Sequence, residues 1–458
     1  MKVLLIRPPR IKQSITVSDF MFSEPLGLEM IYGILEVDHI VEIFDMMVEK
    51  TSLEEKLMDY KANVVGITSL CIDVNKVNEM ALQIKEFDNT IITVVGGTQS
   101  YLNPKAYYNK FVDHIFQYTS SENVKFFYNE IVLNHLSKPI DGILSRQFNY
   151  ESTGVKGRNE YLLPNRSSTE KYRSQYSYFG YRPAAIREFG LGCEKTCDFC
   201  LRWRIEGAKE SLIPLDIIKA DLIQIKDPTI IFIDNDFFAN EEKLIIFLDL
   251  IKKLNVNKNF IVYGSVNGII KYEKLIKEFV ELGLKAVLVG FESFKDSELV
   301  KYKKKSTIDD NYIAAKILKD MKVDVWASFM AHPDWNKQDF HDFRRYINSL
   351  KPQISSINPL TPFPNLPLYK EYEDRLLYTA EDYEKWSFGQ VIIRPSQMSL
   401  SRYYWELLKT NLYVNLFTNS KTDMLKHFGI GNVVRLVIGS LGSLKKYIFL
   451  MVGAIGNK

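Results

Sequence analysis

The chain has 458 residues, 46% of them hydrophobic, enough for two or three domains with sizeable cores. Its 59 basic and 56 acidic residues nearly cancel, so bulk nucleic-acid binding has no electrostatic support and a small-molecule substrate is expected. Four cysteines and a first stretch, MKVLLIRPP, that reads as a short buried strand and not as a signal peptide point to a reducing cytoplasm; no apolar run approaches the length of a membrane span.

Residues 1–135 alternate apolar strand runs with amphipathic helices. The predicted strands are Val3–Ile6, Ile40–Phe44, Val64–Ser69, Ile91–Val95 and His114–Gln117, and the predicted helices Leu26–Leu35, Leu53–Tyr60, Val74–Lys85 and Asn123–Val132. Continuous apolar strands separated by helices define a doubly wound, Rossmann-like α/β domain with a parallel sheet, whose ligands belong at the carboxyl ends of strands. Thr68, Ser69, Leu70 and Cys71 follow the third strand, and Gly96, Gly97, Thr98 and Gln99 the fourth. Paired glycines let a backbone approach a ligand closely, and a tight strand–helix turn accounts for them equally well.

Residues 136–180 read as a linker. Ile140–Tyr150 is expected to form a small hairpin, and the following segment is rich in Ser, Tyr, Gly and Pro. Its tyrosines need surfaces to pack on, so it should wrap between domains.

The stretch Arg187–Arg204, REFGLGCEKTCDFCLRWR, holds three of the four cysteines within eight residues. Cys193, Cys197 and Cys200 form a C-x-x-x-C-x-x-C run, and soft thiolates select iron–sulfur clusters or zinc. Three ligands leave one iron of a [4Fe–4S] cluster open to a small molecule, which suits catalysis. A disulfide would leave an odd thiol, and a structural zinc site needs four ligands, whereas Cys71 lies in another segment and no His flanks the run.

This spacing, with Phe199 just before the last cysteine, resembles the signature of the radical S-adenosylmethionine (SAM) superfamily. The resemblance implies that the open iron is chelated by the amino and carboxylate groups of SAM. One electron, from a donor such as flavodoxin or ferredoxin, then cleaves SAM to methionine and a 5′-deoxyadenosyl radical. The phrase LLPNR upstream resembles the connector of the same family.

Residues 181–399 count out six strand–helix units. The strands are predicted at Ala185–Glu188, Ile230–Asp234, Phe260–Ser265, Ala286–Glu292, Val323–Met330 and Ile354–Pro359, with helices at Leu244–Leu254, Tyr272–Leu282, Asp309–Met321 and Phe340–Leu350. The pattern predicts a partial (β/α)6 TIM-type barrel with its site at the carboxyl ends of the strands. Those ends carry the cysteine run, Asp234, Ser265 and Asn267, Glu292, His332-Pro333 and Thr361-Pro362. Singly, Asp234 or Ser265 reads as a helix cap; six polar ends in step favour a shared site.

The resemblance assigns Asp234 to the SAM ammonium, Ser265 and Asn267 to its carboxylate or ribose, Glu292 to a hydroxyl or the ammonium, and Phe199 to the adenine. His332 stands where the family usually has Gly, and is either a proton donor or acceptor for substrate or a packed residue. Arg202 and Arg204 are expected in surface ion pairs.

The order LLIRPP, EPLGLEMIYGILE, VVGITSL, VVGGTQSYLNP is similar to cobalamin-binding domains fused to radical SAM enzymes. Two departures stand out. The Asp-x-His-x-x-Gly motif is absent, which leaves the lower cobalt face without His, and YTSSENV replaces the acidic element usual after the fifth strand. The resemblance implies a cobalamin-dependent C-methyltransferase, in which one SAM supplies the methyl group through methylcobalamin and a second supplies the radical that attacks an unactivated carbon. The alternatives are a radical SAM enzyme without cobalamin, performing rearrangement, oxidation or cyclisation, and a non-enzymatic electron-transfer protein.

Residues 400–458 look helical, with Trp405–Phe417 as one amphipathic helix. The last stretch is apolar and basic, in runs too short and broken to span a bilayer. It is expected to cover the open side of the barrel, with an interfacial position on an anionic membrane as the alternative.

Overall fold

The computed structural model of the chain describes residues 1–9, 21–132, 138–151, 157–414 and 421–454. Apolar alternation on buried runs builds the first sheet from β1 (Lys2–Arg7), β2 (Ile40–Asp45), β3 (Val64–Thr68), β4 (Ile92–Gly96), β5 (His114–Phe116) and β6 (Ile143–Ser145). Their order is β2-β1-β3-β4-β5-β6, the doubly wound pattern, with the first five parallel. The expected hairpin at Ile140–Tyr150 is instead an edge strand: β6 runs antiparallel to β5 and extends this sheet past residue 135. Three buried residues in a row, Ile143, Leu144 and Ser145, are too short a run to show a period, which is why the sequence did not place it.

The second sheet holds β7 (Ala184–Arg187), β8 (Thr229–Phe232), β9 (Asn259–Gly264), β10 (Leu284–Glu292), β11 (Asp324–Ala331) and β12 (Ile354–Pro359), all parallel and in sequential order. β7 and β12 are edges that do not pair with each other, so this is an open half-barrel. Helices cover the outer wall through a large core that includes Phe232, Phe247, Phe260 and Phe279. Inward-facing Ile186, Ile231, Ile261, Ala286 and Trp326 meet Tyr178, Phe179 and Leu26, which plug the inner face.

A buried ion network joins the two halves. Arg166, the arginine of LLPNR, donates to Asp221 at 2.7 and 2.9 Å, to Glu24 at 2.8 Å and to Glu29 at 3.1 Å. Arg173 reaches Glu29 at 2.6 Å. Glu29 lies on the first helix, Leu26–Leu35, and Asp221 on helix Leu215–Gln224 beside the half-barrel. The linker thus wraps as expected, with arginines as well as tyrosines holding it.

The carboxyl-terminal region is helical, as the sequence reading expected. The expected Trp405–Phe417 helix is Leu400–Tyr413, and its last expected residues fall outside those described. The broken tail is one 33-residue helix, Lys421–Gly453. Interior glycines cost about 1 kcal/mol each and read as breaks in sequence. Here Leu444, Tyr447, Leu450 and Met451 pack on the main core and Val433 on the inner face, and that packing outweighs them.

Candidate active site

The cysteine run lies between β7 and a short helix, Arg202–Glu206, at the carboxyl mouth of the half-barrel. Its backbone is pinned at three points. The Cys193 N–H donates to the Gly207 carbonyl at 3.0 Å, the Trp203 Nε1–H to the Cys197 carbonyl at 3.0 Å, and the Cys200 N–H to the same carbonyl at 3.2 Å. Gly192 enters the loop at φ +89°, where an added Cβ would stand 2.2 Å from the Lys209 carbonyl oxygen, so only glycine fits.

All three thiols are free. Burial pushes each of them up, while the cations Lys195 beside Cys193, Lys304 beside Cys197 and Arg202 beside Cys200 pull back. Each thiol also feels another: Cys193 feels Cys197, Cys197 feels Cys200, and Cys200 feels Cys193. Among the described residues no three His, Cys, Asp or Glu side chains form a single-ion site. A cluster asks something different, one sulfur for each of several irons, and one loop presenting three free thiols beside two lysines fits that demand.

Those lysines were not singled out in the sequence. Lys195, inside the run, pairs with Asp236 at 2.6 Å, and the Asp236 carboxylate also accepts the Ser265 N–H at 3.0 Å. Lys304 pairs with Glu292 at 2.8 Å and lies 5.9 Å from the centre of the Phe199 ring. Phe199 meets Tyr302 edge-on at 5.6 Å. Long-range lysine–carboxylate pairing leaves no periodic trace, so only position within C-E-K-T-C hinted at Lys195.

The predicted polar residues gather at the mouth, several in roles other than those expected. Asp234 is buried with both oxygens in use: it accepts the Phe189 and Gly190 N–H groups at 2.9 and 2.8 Å and pairs with Lys243 at 2.8 Å. It therefore anchors the strap leading into the cysteine run. Ser265 caps helix Val266–Lys271 by accepting the Gly268 N–H at 3.2 Å, the plain alternative for this residue. Asn267 donates to the Lys305 carbonyl at 2.7 Å and so fixes the segment that carries Lys304. Glu292 ends β10 at φ +64°, a conformation held by its bond to Lys304.

His332, at the end of β11, has both ring nitrogens occupied. Nδ1 accepts the Asp334 N–H at 3.1 Å, which leaves Nε2–H to donate to the Tyr372 hydroxyl at 3.1 Å. Burial pushes its pKa down to about 4, so it is neutral, and its ring packs between these partners, the second of the two roles open to it. Arg202 pairs with Glu188 at 3.0 Å and Glu206 at 2.9 Å, as expected of an ion-paired residue. Burial pushes the Glu188 carboxyl up, against the pull of Arg202.

The strand ends of the first sheet interlock. The Ser69 N–H donates to the Gly96 carbonyl, the Gln99 N–H to the Ser69 carbonyl, and the Tyr107 hydroxyl to Ser69 Oγ at 2.6 Å. Gly97 sits at φ +103°, where a Cβ would lie 2.7 Å from the Ser69 carbonyl oxygen. Thr68, Ser69, Gly96 and Gly97 thus form a closed turn, while Leu70 beside them is 53% exposed. Helix Thr98–Leu102 lies beside helix Arg202–Glu206, which follows Cys200, and the Cys71 thiol approaches the Tyr383 carbonyl at 3.9 Å. The strand ends of the two sheets therefore face one another.

Residues 188–347, which hold the cysteine run and four of the six half-barrel strands, match the Radical SAM superfamily. The chain is 24% identical over 456 residues to the hopanoid C-3 methylase of Methylococcus capsulatus, covering 98% of this chain and 87% of that one. It is 24% identical to the bacteriochlorophyllide d C-8(2)-methyltransferase of Chlorobaculum tepidum, over 50% of this chain and 52% of the relative. Among solved structures it superposes on the cobalamin-dependent radical SAM enzyme OxsB, with aqua-cobalamin and SAM bound, at a TM-score of 0.68 and 14% identity, covering 100% of this chain and 80% of that one. The methyltransferase TsrM from Kitasatospora setae, with cobalamin and a [4Fe-4S] cluster bound, gives 0.68 and 14%, over 100% of this chain and 99% of TsrM. These likenesses establish a shared two-domain fold.

Proposed function

We propose that this protein is a cobalamin-dependent radical SAM C-methyltransferase acting on an unactivated carbon of an apolar substrate. The observation that carries the reading is the opposition of two strand-end surfaces: the Thr68–Leu70 and Gly96–Thr98 turns on one side, and the cysteine run on the other. A doubly wound sheet binds ligands at that edge, and the exposed Leu70 offers an apolar floor to a flat cofactor. The two methylating relatives and the two cobalamin-bound structures support the same reading.

In this reading Cys193, Cys197 and Cys200 would hold a [4Fe–4S] cluster, Glu292 and Asn267 would border the SAM site beside Phe199, and Leu70 would border cobalamin. When bound, the cluster with SAM supplies a carbon radical and cobalamin a transferable methyl group. The protein's own work is to orient these groups and exclude water. Lys195 and Lys304 place positive charge beside the thiolates, the Asp234–Lys243 pair fixes the strap before them, and Phe199 and Tyr302 close the mouth with apolar surface. A flavodoxin- or ferredoxin-like donor would deliver the electron.

The test is anaerobic reconstitution with iron and sulfide, followed by hydroxocobalamin. Formation of 5′-deoxyadenosine from SAM together with a shifted corrin spectrum supports the proposal. 5′-Deoxyadenosine without corrin binding would move the assignment to a radical SAM enzyme whose first domain holds no cobalamin.

A further inference from the structure

The helix Lys421–Gly453 has two apolar faces, and the protein uses one. Val433, Leu444, Tyr447, Leu450 and Met451 face inward, with Tyr447 edge-on to Tyr404 at a centroid distance of 6.2 Å. On the other side Ile430, Val434, Val437, Ile438, Leu441, Ile448, Phe449 and Val452 are between 43 and 78% exposed. Their spacing of three, four and seven places them on one stripe of the helix. Single exposed apolar residues need no explanation, but a stripe of eight along some six turns of helix, interrupted only by the exposed Lys445, does.

Charge indicates what covers it. The last 38 residues hold six basic residues and one acid, Asp423, so the other 420 carry 53 basic against 55 acidic residues. Five of the six lie within the apolar helix Lys421–Gly453, so the positive charge of the chain is concentrated there. No helix among the described residues is long and apolar enough to cross a membrane. A long basic helix with an exposed apolar stripe, too polar to insert fully, matches an interfacial position, with its stripe in the acyl boundary and its cations among headgroups.

We propose that the outer face of Lys421–Gly453 seats the enzyme on an anionic lipid bilayer. The same helix packs on the half-barrel's inner face through Val433, which fixes the outer face relative to the rest of the protein. The inference concerns attachment and stands independently of the cofactors.

The full-length protein is tested by flotation with phosphatidylcholine vesicles, with and without phosphatidylglycerol. Binding to the anionic vesicles, weakened by added salt, is the expected result. Phe449→Ser and Ile438→Ser lie on the exposed stripe and should each lower partitioning about tenfold without changing the melting temperature. Lys445→Gln should lower it about fivefold on anionic vesicles alone. Failure to float with either vesicle would overturn the proposal. So would a salt-insensitive dimer that Leu441→Asp dissociates, because the stripe would then belong to a second copy of the chain. Both readouts are independent of SAM cleavage, so their failure is distinguishable from failure of the methyltransferase reading.

Discussion

Lys304 is the residue on which the mouth of the site turns. Its ammonium lies between Glu292 and the thiols of Cys197 and Cys200; burial disfavours its charge, yet Glu292 and Cys197 hold it above the ordinary lysine range. Lys304→Met would leave Glu292 buried and unpaired in a left-handed conformation. We expect a loss of about 3 kcal/mol in chemical denaturation, with Lys304→Gln less well tolerated than Lys304→Arg. His332 makes a prediction of opposite kind. Folded, it takes up a proton only near pH 4, whereas the unfolded chain does so near 6.5. Its contribution is therefore complete above pH 6.5 and is lost as pH falls towards 4, by about 2–3 kcal/mol. His332→Gln should flatten the acid limb of stability measured between those values. It should leave 5′-deoxyadenosine formation in place, since its ring bonds only to protein.

At the scale of elements, the loop that holds the cysteines is set by its ends. Gly192→Ala forces a Cβ against the Lys209 carbonyl and should cost about 1–3 kcal/mol. It should also lower iron uptake relative to the parent, measured as bound iron per chain. The elements themselves were largely legible. The helices Leu26–Leu35 and Leu53–Tyr60 and the strand Ile354–Pro359 fall where apolar periodicity puts them. Two later helices begin three residues before their first apolar residue, because Asn240 and Asn336 cap them and polar first turns follow. What each polar strand end does was less legible. Asp234 and Ser265 were visible as polar residues at strand ends, but their partners, Lys243 and the Gly268 N–H, follow from the turn geometry and from a helix packed outside the sheet.

At the scale of the molecule, the two sheets are coupled through the linker. Arg166→Met would leave Glu24, Glu29 and Asp221 with only part of their countercharge in a buried interface. We expect a loss of about 3–5 kcal/mol, and urea unfolding that separates into two transitions where the parent shows one. The sequence showed both α/β units and the joining segment, but not that the arginine of LLPNR is the joint, since its three acidic partners are scattered over about 200 residues. The helical character of the tail was legible, but not its extent as one helix, because the packing that holds it is long-range.

The account depends above all on three thiols of one loop acting together at the mouth of the half-barrel. The most direct measurement is SAM cleavage by anaerobically reconstituted protein under a low-potential reductant, in parallel with Cys197→Ala. We predict about four irons per chain and release of 5′-deoxyadenosine from the parent, and neither from the variant. A parent that binds no iron, or that binds it and leaves SAM intact while Cys197→Ala behaves identically, would contradict the account.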